Sequence, residues 1–138
     1  MAERVIRPQD RQNPPRAPAR ILVAEDDASL REALQEVLSV TGYRFDLVAD
    51  GVRALEAALA DPPDLIILDH MMPGLDGLAV LRKLRADPRL QKTPVIFLTG
   101  AAQDFPAEHG AAAVIEKPFR MAALQDMVRS LLAPPSKV

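Results

Sequence analysis

The stretch DLIILDHMMPGLDG, residues 64–77, decides how this chain folds. Four consecutive apolar residues, 65–68, run without polar alternation into Asp69, and Pro73-Gly74 then breaks the chain. A short apolar run bounded by turn residues is the pattern of a strand covered on both faces. Parallel sheets with helices over both faces are where such strands occur. The first position on this strand that reaches a rim is its end, and an acid stands there.

On either side, strand and helix patterns alternate. ILVA (21–24) is apolar throughout, and after Glu25, Asp26 and Asp27 the segment SLREALQEVLSV (29–40) sets Leu30, Ala33, Leu34, Val37 and Leu38 at helical spacing. Ser29 with Glu32 reads as a capping box, with Asp27 as a competing cap, and the helix stops near Gly42. YRFDLVA (43–49) alternates as an edge strand does. Asp50 then caps a helix through GVRALEAALA (51–60), and Pro62-Pro63 ends it before 65–68. Beyond the opening stretch, Asp76 caps a helix in GLAVLRKLRA (77–86), VIFLT (95–99) and AVIE (113–116) read as strands, and MAALQDMVRSLL (121–132) is a last helix. Five strands alternating with helices, without a hairpin signal, predict an α/β fold: a doubly wound parallel sheet.

In open sheets of this kind functional groups gather at the carboxyl ends of the strands. Here the first strand ends in Glu25-Asp26-Asp27, the third in Asp69, the fourth in Thr99, and Lys117 follows the fifth. One acid at a strand end is usually a helix cap. Acids at two neighbouring strand ends repel unless a proton or a cation lies between them. Mg²⁺ suits such a cluster, since it takes one or two carboxylates, keeps several waters and is completed by phosphate oxygens. A carboxylate beside it can attack a phosphoryl group and form an acyl phosphate, with Thr99 and Lys117 suited to hold the new oxygens.

Composition narrows the alternatives. The chain has 138 residues, 49% of them hydrophobic, the size of one domain with one core. It has no cysteine, which excludes disulfides, thiolate nucleophiles and Cys-based zinc sites. No apolar run is long enough for a membrane span and no signal-peptide core is present, so a cytoplasmic protein without membrane partners is expected. Residues 1–20 hold five arginines, two acids and four prolines, a net +3, and are expected to form a disordered tail over 1–19. With −2 for the whole chain, residues 21–138 carry −5, which disfavours nucleic-acid binding by the domain. No glycine-rich loop follows the first strand, against a dinucleotide site.

ILVAEDD, LIILDHMMPGLDG, VIFLTG and EKPF, in this order, resemble the four signature segments of response-regulator receiver domains across residues 20–133. The resemblance implies a flavodoxin-like sheet of order 2-1-3-4-5 and two-component signalling. It implies Asp69 as phosphoacceptor, Asp26 as the main carboxylate for Mg²⁺, Glu25 supporting the metal through water, and Met71 as a ligand through its backbone carbonyl. Thr99 and Lys117 take the phosphate-sensing roles, and the Lys117–Pro118 bond is expected to be cis. The implied donor is a sensor histidine kinase, a histidine phosphotransfer protein or a small phosphodonor. The resemblance further implies Mg²⁺-dependent phosphorylation from phosphodonors and slow self-hydrolysis without a dedicated enzymatic turnover, and as output a change of protein contacts with a downstream target that the residues do not name.

Around the acceptor, His70 is expected to be a surface histidine, Met72 a core filler, and Met71 a residue whose side chain does no chemistry. The family's usual aromatic three positions before the lysine is Val114 here. The segment GAAQDFPAEH (100–109) leaves room for a helix of at most one turn before Gly110, with Asp104 as cap and Phe105 offering a hydrophobic surface in its place. Residues 134–138 are expected to be a flexible tail or linker. Other readings stay open at this point: a pseudo-receiver acting as a constitutive protein-binding module, a receiver fragment of a longer regulator, and a Mg²⁺-dependent hydrolase with an Asp nucleophile. The hydrolase needs a second acid shortly after that nucleophile, where His70-Met71 offers none.

Overall fold

A computed structural model describes residues 18–102 and 110–132. Five parallel strands form one sheet: β1 (Arg20–Ala24), β2 (Arg44–Val48), β3 (Leu65–Asp69), β4 (Val95–Thr99) and β5 (Ala113–Glu116), in the order β2-β1-β3-β4-β5. Every residue of β1, β3 and β4 is buried, whereas the edge strand β2 alternates between exposed and half-buried positions. The apolar runs thus lie centrally and the alternating one at the rim, as covering both faces requires.

Four α-helices are present among the described residues: α1 (Ala28–Ser39), α2 (Gly51–Ala60), α3 (Gly77–Arg85) and α4 (Met121–Leu132). Period-2 alternation divides the core between them. Ile21, Val23, Leu65, Ile67, Ile96 and Leu98 pack against Leu34 and Leu38 of α1 and Leu124 and Val128 of α4. Leu22, Ala24, Ile66, Leu68, Val95 and Phe97 pack on the other face against Ala54 and Ala58 of α2 and Val80, Leu81 and Leu84 of α3. Met72 joins this second layer, as its expected filling role requires, while the Met71 side chain is exposed.

The helix starts are set by aspartates. Asp50 and Asp76 accept from the Arg53 and Ala79 N–H groups at 2.8 and 2.9 Å, as expected. The expected Ser29/Glu32 capping box is replaced by Asp27, whose carboxylate accepts from the N–H groups of Ser29 and Leu30 at 2.9 and 3.4 Å. The cause is register: the helix already begins at Ala28, so the residue before it is the cap. Gly77 lets α3 start hard against β3, because a Cβ there would lie 2.5 Å from the Asp69 carbonyl oxygen and 2.7 Å from the Phe97 ring.

At the amino end of the sheet the buried Arg20 donates to Asp46 Oδ2 at 3.0 Å and to the Asp61 carbonyl, and its own N–H donates to Asp64 at 2.8 Å. That end is closed on itself. The expected tails, 1–19 and 134–138, lie outside the described residues except for Pro18 and Ala19, whose carbonyls accept from Arg44 Nε and N at 3.1 and 2.9 Å. The one-turn segment expected around Asp104 and Phe105 also lies outside the described residues. No helix among the described residues is long and apolar enough to cross a membrane.

Candidate functional site

The strand order reverses between β1 and β3, so the two chain segments leaving these neighbours diverge to opposite faces and open a crevice at their carboxyl ends. Side-chain alternation decides what enters it. Glu25, Asp69 and Lys117 continue the parity of Val23, Ile67 and Ile115, on the α1/α4 side of the sheet. Thr99 and His70 continue the parity of Phe97 and Leu68, on the α2/α3 side. The rim is therefore two adjoining half-sites.

The first half-site is acidic. Carboxylate oxygens of Glu25, Asp26 and Asp69 all lie within 4.8 Å of one another, with Glu25 and Asp69 buried and Asp26 exposed. Lys117 reaches in from beyond β5: its Nζ lies 3.1 Å from Asp69 Oδ1 and 3.2 Å from Glu25 Oε1. The Lys117–Pro118 bond is cis, as expected. Glu25 also accepts from the Asp27 N–H at 3.1 Å, so the lysine and the loop backbone both hold it. Arg31 of α1 donates to the carbonyls of Glu25 and Asp26 at 2.8 and 3.0 Å, fastening the loop that carries both acids.

Electrostatics follow from three acids sharing one ammonium. Burial pushes the Asp69 carboxyl up to about 7, with hydrogen bonds to Asp26 and Glu25 adding to the rise and Lys117 opposing it. Asp26 is held below the ordinary carboxylate range, first by its hydrogen bond with Asp69. The two shifts are opposite in direction and belong to the pair, in which the more buried partner is the harder to ionise. Lys117 is lowered by burial but raised more by Asp69 and Glu25, and so stays charged. With all three acids ionised, two negative charges lack a counterion within the site, a deficit that a divalent cation matches. An oxygen-only donor set of this kind suits Mg²⁺ rather than a thiophilic metal.

The second half-site departs from expectation at His70. It is half-buried, and its Nδ1 lies 3.0 Å from Thr99 Oγ1, where a lone surface histidine was expected. Alternation does turn it away from Asp69, but the backbone continues the ladder one residue past β3, with His70 N–H donating to the Leu98 carbonyl at 2.9 Å. That extra step lays the imidazole over the end of β4. Thr99 itself is buried, and its hydroxyl oxygen also accepts from the Ala101 N–H at 2.9 Å. Asp26, Glu25, Asp69 and Lys117 are thus brought into contact, and Thr99 stands on the same rim with its hydroxyl engaged by His70 and Ala101.

A doubly wound sheet with an acidic crevice and an invading lysine at its switch point defines a class of phosphate-handling signalling domains, and known proteins fit it. Residues 21–129 match the model of the response regulator receiver domain, and the chain belongs to that family. The response regulator MprA of Mycobacterium ulcerans (strain Agy99) is 43% identical over 119 residues, which cover 82% of this chain and 50% of that protein. The chain spans about half the length of the curated relatives it matches. The receiver domain of a signal transduction histidine kinase from Syntrophus aciditrophicus superposes with a TM-score of 0.76 at 34% identity, over 87% of this chain and 94% of that one. The receiver domain of a sensor histidine kinase from Pseudomonas aeruginosa PAO1, with a magnesium ion coordinated in its active site cleft, gives 0.78 at 32% identity, over 86% and 100%.

Proposed function

We propose that Asp69 accepts a phosphoryl group from the phosphohistidine of a sensor kinase or a histidine phosphotransfer protein in the cytoplasm, and that the acyl phosphate changes which proteins the domain contacts. The observation that carries this reading is the contact between a buried strand-end carboxylate, two further acids within 4.8 Å and the Lys117 ammonium 3.1 Å away. Asp26 and Asp69 would hold Mg²⁺ with the Met71 carbonyl, and Glu25 would reach it through water. When bound, the ion supplies positive charge that keeps Asp69 ionised at neutral pH and balances the phosphoryl oxygens.

The chain's own residues do the rest. An Asp69 oxygen attacks phosphorus as the bond to the donor imidazole nitrogen breaks, and the imidazole, protonated at its other nitrogen, leaves neutral. Lys117, already seated against Asp69 by Glu25, faces the charge brought in by the phosphoryl group without having to reorganise. Thr99 donates its hydroxyl proton to a phosphoryl oxygen. Hydrolysis by water returns the carboxylate.

Incubation with Mg²⁺ and acetyl phosphate, followed by a phosphate-affinity gel, tests the reading. A slower-migrating band that needs Mg²⁺ and is missing in Asp69→Asn is the expected result. Absence of the band, or its persistence in the variant, overturns it.

A further inference from the structure

We propose that Arg31 is a positioning residue for divalent-cation binding: by holding the Glu25 and Asp26 carbonyls it sets where the Asp26 carboxylate stands against Asp69, and with it the affinity for Mg²⁺. The inference rests on the reading of the acidic half-site as the seat of that ion.

Strand parity alone puts Asp26 on the wrong side of the sheet. Glu25 follows Val23 toward α1 and α4, and an unbroken strand would send Asp26 after Ala24 toward α2 and α3. Its carboxylate nevertheless lies within 4.8 Å of those of Glu25 and Asp69. The chain therefore turns at Asp26, directly after the paired register of β1 ends at Ala24.

Arg31 holds that turn. Successive carbonyls of an extended, pleated chain point to opposite sides, whereas here a single nitrogen, Arg31 Nη1, donates to the Glu25 carbonyl at 2.8 Å and to the Asp26 carbonyl at 3.0 Å. Two consecutive carbonyls facing one nitrogen fix the peptide between them. The clamp rides on the first turn of α1, where the Arg31 N–H donates to the Asp27 carbonyl at 2.9 Å. Packing does not supply this restraint, because Asp26 is exposed while Arg31 is half-buried. Metal ligands must be deprotonated, and the ionised carboxylates of this cluster repel one another. An exposed acid on a loose turn would swing away from Asp69, and the clamp keeps it in place before the cation arrives.

Charge and position make opposite demands at Arg31. As a charge, the guanidinium repels an incoming cation, so its removal would tighten Mg²⁺ binding. As a clamp, its removal loosens the donor set and weakens binding. The sign of the change separates the two roles.

Titration of the full nitrogen-labelled chain with MgCl₂, followed by NMR at the backbone amides of Glu25, Asp26 and Asp69, measures that sign. Arg31→Ala and Arg31→Gln should each raise the Mg²⁺ Kd by about tenfold, the lower end of the effect of losing a group that orients metal ligands. Arg31→Lys should fall between them and the wild type, because one ammonium can donate to both carbonyls as Nη1 does. Amides at the amino end of the sheet report that each variant is folded, and Arg31→Gln, which keeps a stem over the loop, decides should Arg31→Ala not fold. A merely structural role would lower the urea midpoint and leave the Kd of the folded chain unchanged. Unchanged or tighter Mg²⁺ binding in the folded neutral variants overturns the proposal, as does an Arg31→Lys chain that binds no better than the neutral ones. A wild-type chain that takes up no Mg²⁺ defeats the underlying reading instead, which separates the two failures.

Discussion

Lys117 is the residue on which the acidic half-site turns. Its ammonium is the only partner given to the Asp69 carboxylate from a basic side chain among the described residues, and it also neutralises Glu25, which is fully buried. Lys117→Met is therefore expected to cost stability as well as function. Leaving Glu25 buried without its cation should destabilise the fold by about 3 kcal/mol, and loading from acetyl phosphate should fall by about 10²-fold as a preorganised charge is lost. Urea titration and the phosphate-affinity gel measure the two effects separately. Lys117→Arg should recover part of the stability and little of the loading, because a planar fork does not replace a point charge between two carboxylates. At this scale the sequence showed which residues gather, since each acid, the threonine and the lysine ends or follows an apolar strand. It did not show the His70 partnership, because His70 meets Thr99 through the pairing of Asp69 with Leu98, and register between strands is absent from a linear pattern. It also concealed that Glu25 contacts Lys117 directly, a contact spanning most of the domain.

Elements place these residues through their starts. Three helices begin at an aspartate cap, and each carboxylate takes an N–H that the first turn leaves without a partner. Those starts were legible at Asp50 and Asp76, where a polar residue precedes a clean apolar period. The start of α1 was ambiguous, because Asp27 and Ser29 both have capping chemistry and only the helix phase decides between them. The start of α3 is the most constrained of the three. Its first residue, Gly77, donates to the His70 carbonyl and leaves no space for a Cβ beside the Asp69 carbonyl and the Phe97 ring. Gly77→Ala is expected to destabilise the fold by about 2 kcal/mol through overpacking and to slow the proposed loading of Asp69, since the strain falls on the backbone of Asp69 itself. Asp76→Ala, which removes the cap and leaves the spacing alone, should cost about 1 kcal/mol with loading retained. A comparison of urea midpoints and loading rates for the two variants distinguishes spacing from capping; equal loss of loading in both would defeat the distinction.

At the scale of the whole molecule, one end of the sheet is electrostatically closed and the other is not. Arg20 satisfies the acids at the amino end, whereas the carboxyl end holds three acids and one lysine. Folding concentrates that charge, so the stability of the chain should depend on pH and on Mg²⁺ together. The Asp69 carboxyl titrates at about 7 in the folded chain against an ordinary 3.8, and so binds its proton more tightly when folded. Its contribution to stability is fully present below the ordinary value and is lost as pH rises through about 7. In chelator the unfolding free energy of the wild type, less that of Asp69→Asn, should fall by on the order of 2 kcal/mol between about pH 4 and pH 8. Mg²⁺ binds the ionised cluster, so adding it should reverse the trend: a large stabilising shift at pH 8, little at pH 5, and almost none at either pH in Asp69→Asn. Asp26, held low by its bond to Asp69, works in the other direction, contributing stability at neutral pH that is lost as pH falls through its folded value. Asp26→Asn should therefore weaken the Mg²⁺ shift at pH 8 while lowering the pH at which Asp69 ionises. Urea midpoints across this pH range, with and without Mg²⁺, give all of these quantities. A difference curve that stays flat in chelator would mean that the cluster carries no stored repulsion, and that the carboxyl end is as fully compensated as the amino end.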